Sequence, residues 1–203
     1  MSQVSFEMKK PLFIVFEGID GSGKSTLAKN IYKKLNDAKI KSVLFNEPTG
    51  FATGQKIRSF LKGEINLSVD EQLKLFIDDR KLSVSRNIQP SLDDGYNVIL
   101  DRYYFSTAAY QSSERFSPQK IVQMNQQEGF PAPDILFYLE IEPAIAMKRI
   151  SQRGRTESFE KLDELFRIKN AYTKILHNAI FLDALTDEKT LAEKVFGIIS
   201  EKF

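Results

Sequence analysis

Nine consecutive residues carry the clearest chemistry in the chain: Gly18-Ile19-Asp20-Gly21-Ser22-Gly23-Lys24-Ser25-Thr26. They follow an apolar run, Leu12-Phe13-Ile14-Val15-Phe16, and precede an amphipathic one from Leu27 to Leu35. Strand, glycine loop and helix in that order form the context of a Walker A phosphate loop. Gly18, Gly21 and Gly23 let the backbone curl, so that its N–H groups, with those of Ser22 and Thr26, point at phosphate oxygens. The helix that begins near Lys24 aims the positive end of its dipole at the same oxygens. Lys24 adds a mobile positive charge, and the Ser25 hydroxyl suits Mg²⁺. The pattern therefore predicts binding of a nucleoside triphosphate with magnesium.

Three further groups could complete such a site. Asp101-Arg102-Tyr103 comes directly after a predicted strand, and ligands of open α/β sheets bind beyond the carboxyl ends of strands. Asp101 there suits a magnesium-holding carboxylate, and the planar guanidinium of Arg102 suits bidentate contact with a second phosphate. A surface Asp-Arg pair capping the next helix has the same local pattern. Phe76 and Arg80 lie four residues apart and share a helical face. They could stack on a base and bond its carbonyl, although a core Phe beside a solvated Arg fits the spacing as well. Arg149, Arg153 and Arg155 bracket a polar stretch, where arginines can neutralise charge on a migrating phosphoryl group. They also suit a solvated helix end. His177, the lone histidine, has no partner pattern.

These residues need a rigid frame. Five apolar runs read as buried strands: Leu12–Phe16, Ser42–Phe45, Val98–Leu100, Ile135–Leu139 and Ala179–Leu182. Helical patterns separate them at Lys24–Asp37, Gly54–Leu61, Asp70–Leu92, Pro118–Glu128, Pro143–Arg153, Phe159–Leu176 and Asp187–Ile199. Alternation predicts an α/β fold, a five-stranded parallel sheet with helices on both faces. The 203 residues suit one domain, with residues 1–10 a flexible tail and about 151–158 a lid loop. A net charge of +2 offers no basic excess for nucleic acid, and no apolar run approaches the roughly 20 residues of a membrane helix. The absence of cysteine fits a reducing compartment such as the cytoplasm.

Taken together the motifs resemble the thymidylate kinase family of P-loop nucleoside monophosphate kinases. The match runs from Phe13 to about Tyr172 and keeps motif order. Beyond the phosphate loop it includes Glu47-Pro48, Gly54-Gln55-Lys56-Ile57-Arg58, Leu75-Phe76 with Arg80, and Pro133-Asp134. Its narrowest part is Asp101-Arg102-Tyr103 leading through Ser106-Thr107 to Ala109-Tyr110-Gln111. The resemblance implies that Asp20 positions the acceptor and that Arg58 and Arg102 hold its 5′-phosphate. It implies that Phe76 stacks on thymine, that Arg80 bonds O4, and that Gln111 meets the Watson–Crick edge. Ser106 and Thr107 fall among the acceptor-binding positions, with Thr107 near the base, and Tyr110 crowds the ribose 2′ position. Arg149 sits with the ATP-binding residues, and Arg153 or Arg155 closes from the lid.

The chain departs from common bacterial members at Asn46 and Thr49-Gly50, flanking Glu47-Pro48, and at Ser158; this region and the short lid are closer to archaeal-type members. Gly21 stands where some members carry a catalytic arginine, so the resemblance assigns that role to the lid. The implied reaction moves the γ-phosphoryl group of ATP·Mg²⁺ to thymidine monophosphate (dTMP), in a homodimeric enzyme serving dTTP synthesis. Two alternatives stay open on the residues alone: a kinase of the same fold with another nucleotide or nucleoside as acceptor, and a non-catalytic nucleotide-binding protein.

Overall fold

The computed structural model describes residues 10–152 and 162–202. Among these, five strands form one parallel sheet: β1 (Phe13–Glu17), β2 (Ser42–Asn46), β3 (Asn97–Asp101), β4 (Ile135–Glu140) and β5 (Ile180–Asp183), in the order β2-β3-β1-β4-β5. All five residues of β1 are buried. Successive strand side chains point to opposite faces, so a fully buried strand means that both faces are covered. The predicted P-loop architecture is observed.

The helices are α1 (Lys24–Asp37), α2 (Ala52–Leu61), α3 (Val69–Ser83), α4 (Gln89–Asp93), α5 (Tyr104–Tyr110), α6 (Pro118–Gln127), α7 (Pro143–Ser151), α8 (Leu162–Thr173) and α9 (Glu188–Ser200). Helix α1 buries Leu27, Ala28, Ile31 and Leu35 and packs against α9, while α5 packs against α6 and α8. Two expectations need correction. The run Asp70–Leu92 is interrupted by a π-helical turn at Val84–Ile88. Pro90 explains it: proline donates no N–H and its ring clashes with the carbonyl four residues back. Widening the turn, with the Gln89 N–H bonded to Val84 O, relieves that clash. The second is α5, a seven-residue helix hidden in a stretch with no period long enough to read.

Topology positions the chemistry. The chain leaves β1 for β2 and β3 on one side, then crosses to β4 and β5 on the other. The loop after β1 and the turn after β3 therefore share the carboxyl edge at the switch point, where α/β sheets bind ligands. Register brings Phe16 level with Asp101, and Asp101 level with Asn46.

The segment after β2 carries a cis Glu47–Pro48 bond and is anchored by buried Asp79. Asp79 accepts hydrogen bonds from the Thr49 N–H (2.8 Å) and from the Thr49 and Thr53 hydroxyls (both 2.6 Å). Helix α2 lies so close to this segment that a Cβ on Gly54 would fall 2.0 Å from Thr49 O. The fold predicts that Gly54→Ala forces α2 outward and costs about 1–3 kcal/mol through overpacking. Urea unfolding measures this, and an unchanged midpoint would contradict the packing account.

Candidate active site

Helix α1 is capped at its start by Gly23 in a left-handed conformation (φ 96°), with no side-chain cap and no acidic residue in the first turn. Its N-terminal N–H groups and dipole are therefore left for an anion. Gly21 allows close contact with α7: a Cβ there would lie 2.6 Å from Ala146 O. Lys24 is buried, with Nζ 3.4 Å from Ile19 O and 3.5 Å from an Asp20 carboxylate oxygen. Burial, then the neighbouring Arg102 charge, lowers the Lys24 pKa.

Arg102 follows β3 with a φ of 71°, a left-handed conformation unfavourable for a residue with a Cβ. Its N–H donates to Phe16 O (3.0 Å), fastening the turn to β1. Its guanidinium pairs with Asp20, donates to Ser106 Oγ at 3.1 Å and lies over the Tyr110 ring at 5.1 Å. The Tyr110 hydroxyl donates to Asp20 at 2.9 Å, and the Asp20 N–H donates to that hydroxyl at 3.0 Å. One carboxylate thus stands between two cations. Burial alone would raise the Asp20 pKa, but Arg102 and then Lys24 outweigh it and hold it at about 2.

A cavity of about 400 Å³ opens from this charge cluster. It brings together Asp20, Gly21, Gly23, Lys24, Ser25 and Thr26 of the loop, Arg58 of α2, Phe76 of α3, Arg102, Ser106, Thr107 and Tyr110 of α5, and Gln111 at its C-terminal cap. Asn46, Pro48, Leu61, Lys62 and Ile150 complete its wall. Arg58 donates to Thr49 O and Pro48 O, both at 2.6 Å, so the Asp79-anchored segment sets its direction. The Gln111 amide nitrogen is buried without a hydrogen-bond partner, a donor free for a ligand carbonyl.

Several expected residues stand outside the lining. Gly18 and Ser22 shape the loop from behind, both buried. Arg80 is 1% exposed and sits behind the wall rather than on it. Its guanidinium pairs with Glu47 (2.7 Å) and donates to Asn125 Oδ1 (2.7 Å) and to Thr107 Oγ1 (3.0 Å). The alternative of a solvated Arg80 is therefore excluded, and its link to the cavity runs through Thr107. Burial raises the Glu47 pKa even with Arg80 beside it. Arg149 lies along the outer side of the loop, donating to Ala184 O at 3.1 Å and Gly21 O at 3.5 Å. Arg153 and Arg155 lie outside the described residues, as do residues 1–9 of the expected tail and 153–158 of the expected lid.

For a divalent cation the donor chemistry fits. Asp101 has a buried carboxylate oxygen without a hydrogen-bond partner, and Ser25 is exposed at the loop. Hard oxygen donors in small number are what Mg²⁺ takes while keeping several waters.

Sequence reasoning missed Glu17, Asn125, Arg167 and Tyr172. Asn125 had a signal: it falls four residues after Ile121, on the buried face of α6, where an apolar residue belongs. Arg167 donates to Tyr110 O (2.9 Å) and Ser112 Oγ (2.9 Å), closing the end of α5 from a helix 57 residues away. No local pattern could announce that.

Asp20 has a folded-state pKa of about 2 against an ordinary 3.8. A depressed carboxylate contributes stability in full above its unfolded value, and the contribution is lost as pH falls through the folded one. The stability difference between wild type and Asp20→Asn is thus expected to shrink between pH 5 and 2. Urea titrations across that window test this; a constant difference would mean that the cations do not hold Asp20 ionised.

The family model described as thymidylate kinase matches residues 16–195. A thymidylate kinase of Leptospira borgpetersenii is 47% identical over 199 residues, covering 97% of both chains. One from Leptospira interrogans is 46% identical over 94% of both. A probable thymidylate kinase of Archaeoglobus fulgidus is 39% identical over 93% of this chain and 94% of its own. Matched by the family model over residues 16–195 and by relatives 46% and 47% identical over nearly its whole length, the chain belongs to the thymidylate kinase family.

Proposed function

We propose that the protein transfers the γ-phosphoryl group of ATP to the 5′-phosphate of dTMP, giving dTDP and ADP. One observation carries this reading: a single cavity is lined both by the cations Lys24 and Arg102 and by the aromatic ring of Phe76 and the amide of Gln111. A nucleoside monophosphate needs both kinds of partner, one for its phosphate and one for its base.

The acceptor oxygen is already an ionised phosphate oxygen, so the site needs positioning and charge neutralisation more than a strong base. Arg102 and Arg58 take the acceptor phosphate, with Arg102 exchanging the Asp20 carboxylate for it. Lys24 and the loop N–H groups take the donor phosphates. Asp20, released from Arg102, stays beside Lys24 and Tyr110 and orients the acceptor. Ser25 and Asp101 would hold Mg²⁺, which when bound neutralises donor phosphate charge. Arg149, Arg153 and Arg155 belong to the ATP side, the last two closing from the lid.

At the far end Phe76 stacks on the base. The Thr107 hydroxyl accepts from Arg80, so its own proton is free to donate. Thr107, oriented by Arg80 from behind the wall, thus presents a donor to a carbonyl such as O4, and Gln111 adds another donor on the Watson–Crick edge. The amino group of cytosine would oppose donors with donors. Tyr110, held against Asp20, occupies the space beside the ribose and favours a deoxyribose.

Action in the cytoplasm and assembly as a homodimer belong to the same proposal and rest on family membership. Among the described residues no helix is long and apolar enough to cross a membrane.

A coupled ADP-release assay with ATP·Mg²⁺ tests the reading. Turnover is expected to depend on acceptor, with kcat/KM for dTMP at least ~10²-fold above that for dCMP, dAMP, dGMP or thymidine. Arg102→Ala should lower kcat/KM for dTMP by roughly 10²–10³-fold, the scale of losing one aligned charge-stabilising donor. Preference for another acceptor would overturn the pocket assignment, and ATP turnover indifferent to acceptor would overturn the kinase reading.

A further inference from the structure

One buried carboxylate has no part in the mechanism above. Glu17 closes β1 and is 0% exposed. Four donors converge on it. Its Oε1 accepts the backbone N–H of Tyr103 at 2.8 Å and of Ser106 at 3.2 Å. Its Oε2 accepts the Ser106 hydroxyl at 2.6 Å and the Tyr172 hydroxyl at 2.9 Å. The two hydroxyl oxygens are themselves 2.9 Å apart. Ser106 Oγ is also the acceptor, at 3.1 Å, for Arg102 Nη1.

We infer that Glu17 is a positioning residue for the acceptor phosphate, acting on Arg102 through the Ser106 hydroxyl. The inference rests on the reading of Arg102 as the acceptor clamp. Burial raises the Glu17 pKa, while the donors from Ser106, Tyr103 and Tyr172 and the Arg102 charge favour its ionised form; an ionised carboxylate only accepts, so both hydroxyls turn their single protons toward it. Ser106 Oγ then presents lone pairs, and no proton, to the guanidinium. Arg102 receives a fixed acceptor on one nitrogen while its other terminal nitrogen faces Asp20. The same carboxylate holds the backbone on the far side of Arg102 by accepting from Tyr103. Arg102 is thus fixed at both its strained backbone and its guanidinium. An amide at position 17 would point N–H groups at donors, free the Ser106 proton to turn toward Arg102, and set donor against donor.

Steady-state kinetics of the full chain with ATP·Mg²⁺ and dTMP separate this role from general support of the fold. Glu17→Gln is expected to raise KM for dTMP roughly tenfold, the effect of misdirecting one hydrogen bond to a charged group, while KM for ATP stays within about twofold. Ser106→Ala should show the same split. The double variant should be no worse than the more affected single variant within about twofold, because both act along one path. Parallel increases in both KM values, or effects that multiply in the double variant, would overturn the inference. Should Glu17→Gln not fold, as read by circular dichroism, Ser106→Ala decides alone: an unchanged KM for dTMP rejects the path. Wild type without dTMP-dependent turnover would reject the functional reading itself, whereas turnover without the split rejects only the role of Glu17.

Discussion

Two cations, Lys24 and Arg102, have to wait in one crevice, and everything around them answers to that constraint. Both are largely withdrawn from water, and like charges so placed repel. The Asp20 carboxylate lies between them and resolves the conflict. In the proposed mechanism phosphate takes over that neutralising task when substrates arrive. Ligand binding then replaces one counter-charge with another, and the cations need little rearrangement at the moment of reaction.

The remaining architecture serves to keep that cluster rigid. Parallel pairing of β1 with β3 sets the phosphate loop and the Arg102 turn side by side. The turn is held from β1 by Phe16 O and Glu17, and helix α5 continues from it to present Ser106, Thr107, Tyr110 and Gln111 along one wall. A second buried ion pair, Glu47 with Arg80, sits behind that wall and reaches it through Thr107. Removing one member of such a pair leaves an uncompensated charge in the interior. The proposed base end is therefore as strongly specified as the phosphate end, by the same physics at a different place.

Local patterns made the fold and much of the crevice legible. The phosphate loop, the strands and most helices follow from spacing, because glycine geometry and apolar periodicity are written within a few neighbours. The family resemblance extended this to Arg58, Phe76, Thr107, Tyr110 and Gln111, all of which meet at the cavity. Illegible features have long-range causes. Helix α5 has seven residues, too few for a period to emerge. Glu17 reads as the polar end of a strand, and its partner Tyr172 lies 155 residues away. Arg80 suited either base recognition or a solvated charge until Glu47 and Asn125, from β2's exit and α6, gave it buried partners. Arg153 and Arg155 fall outside the described residues.

A crystal structure with dTMP and a non-hydrolysable ATP analogue bound tests the central claim most directly. The account predicts that the acceptor phosphate displaces the Asp20 carboxylate as the partner of Arg102, with the base against Phe76 and Gln111. An Arg102–Asp20 pair left intact beneath a bound acceptor, or a base seated away from Phe76, would contradict it.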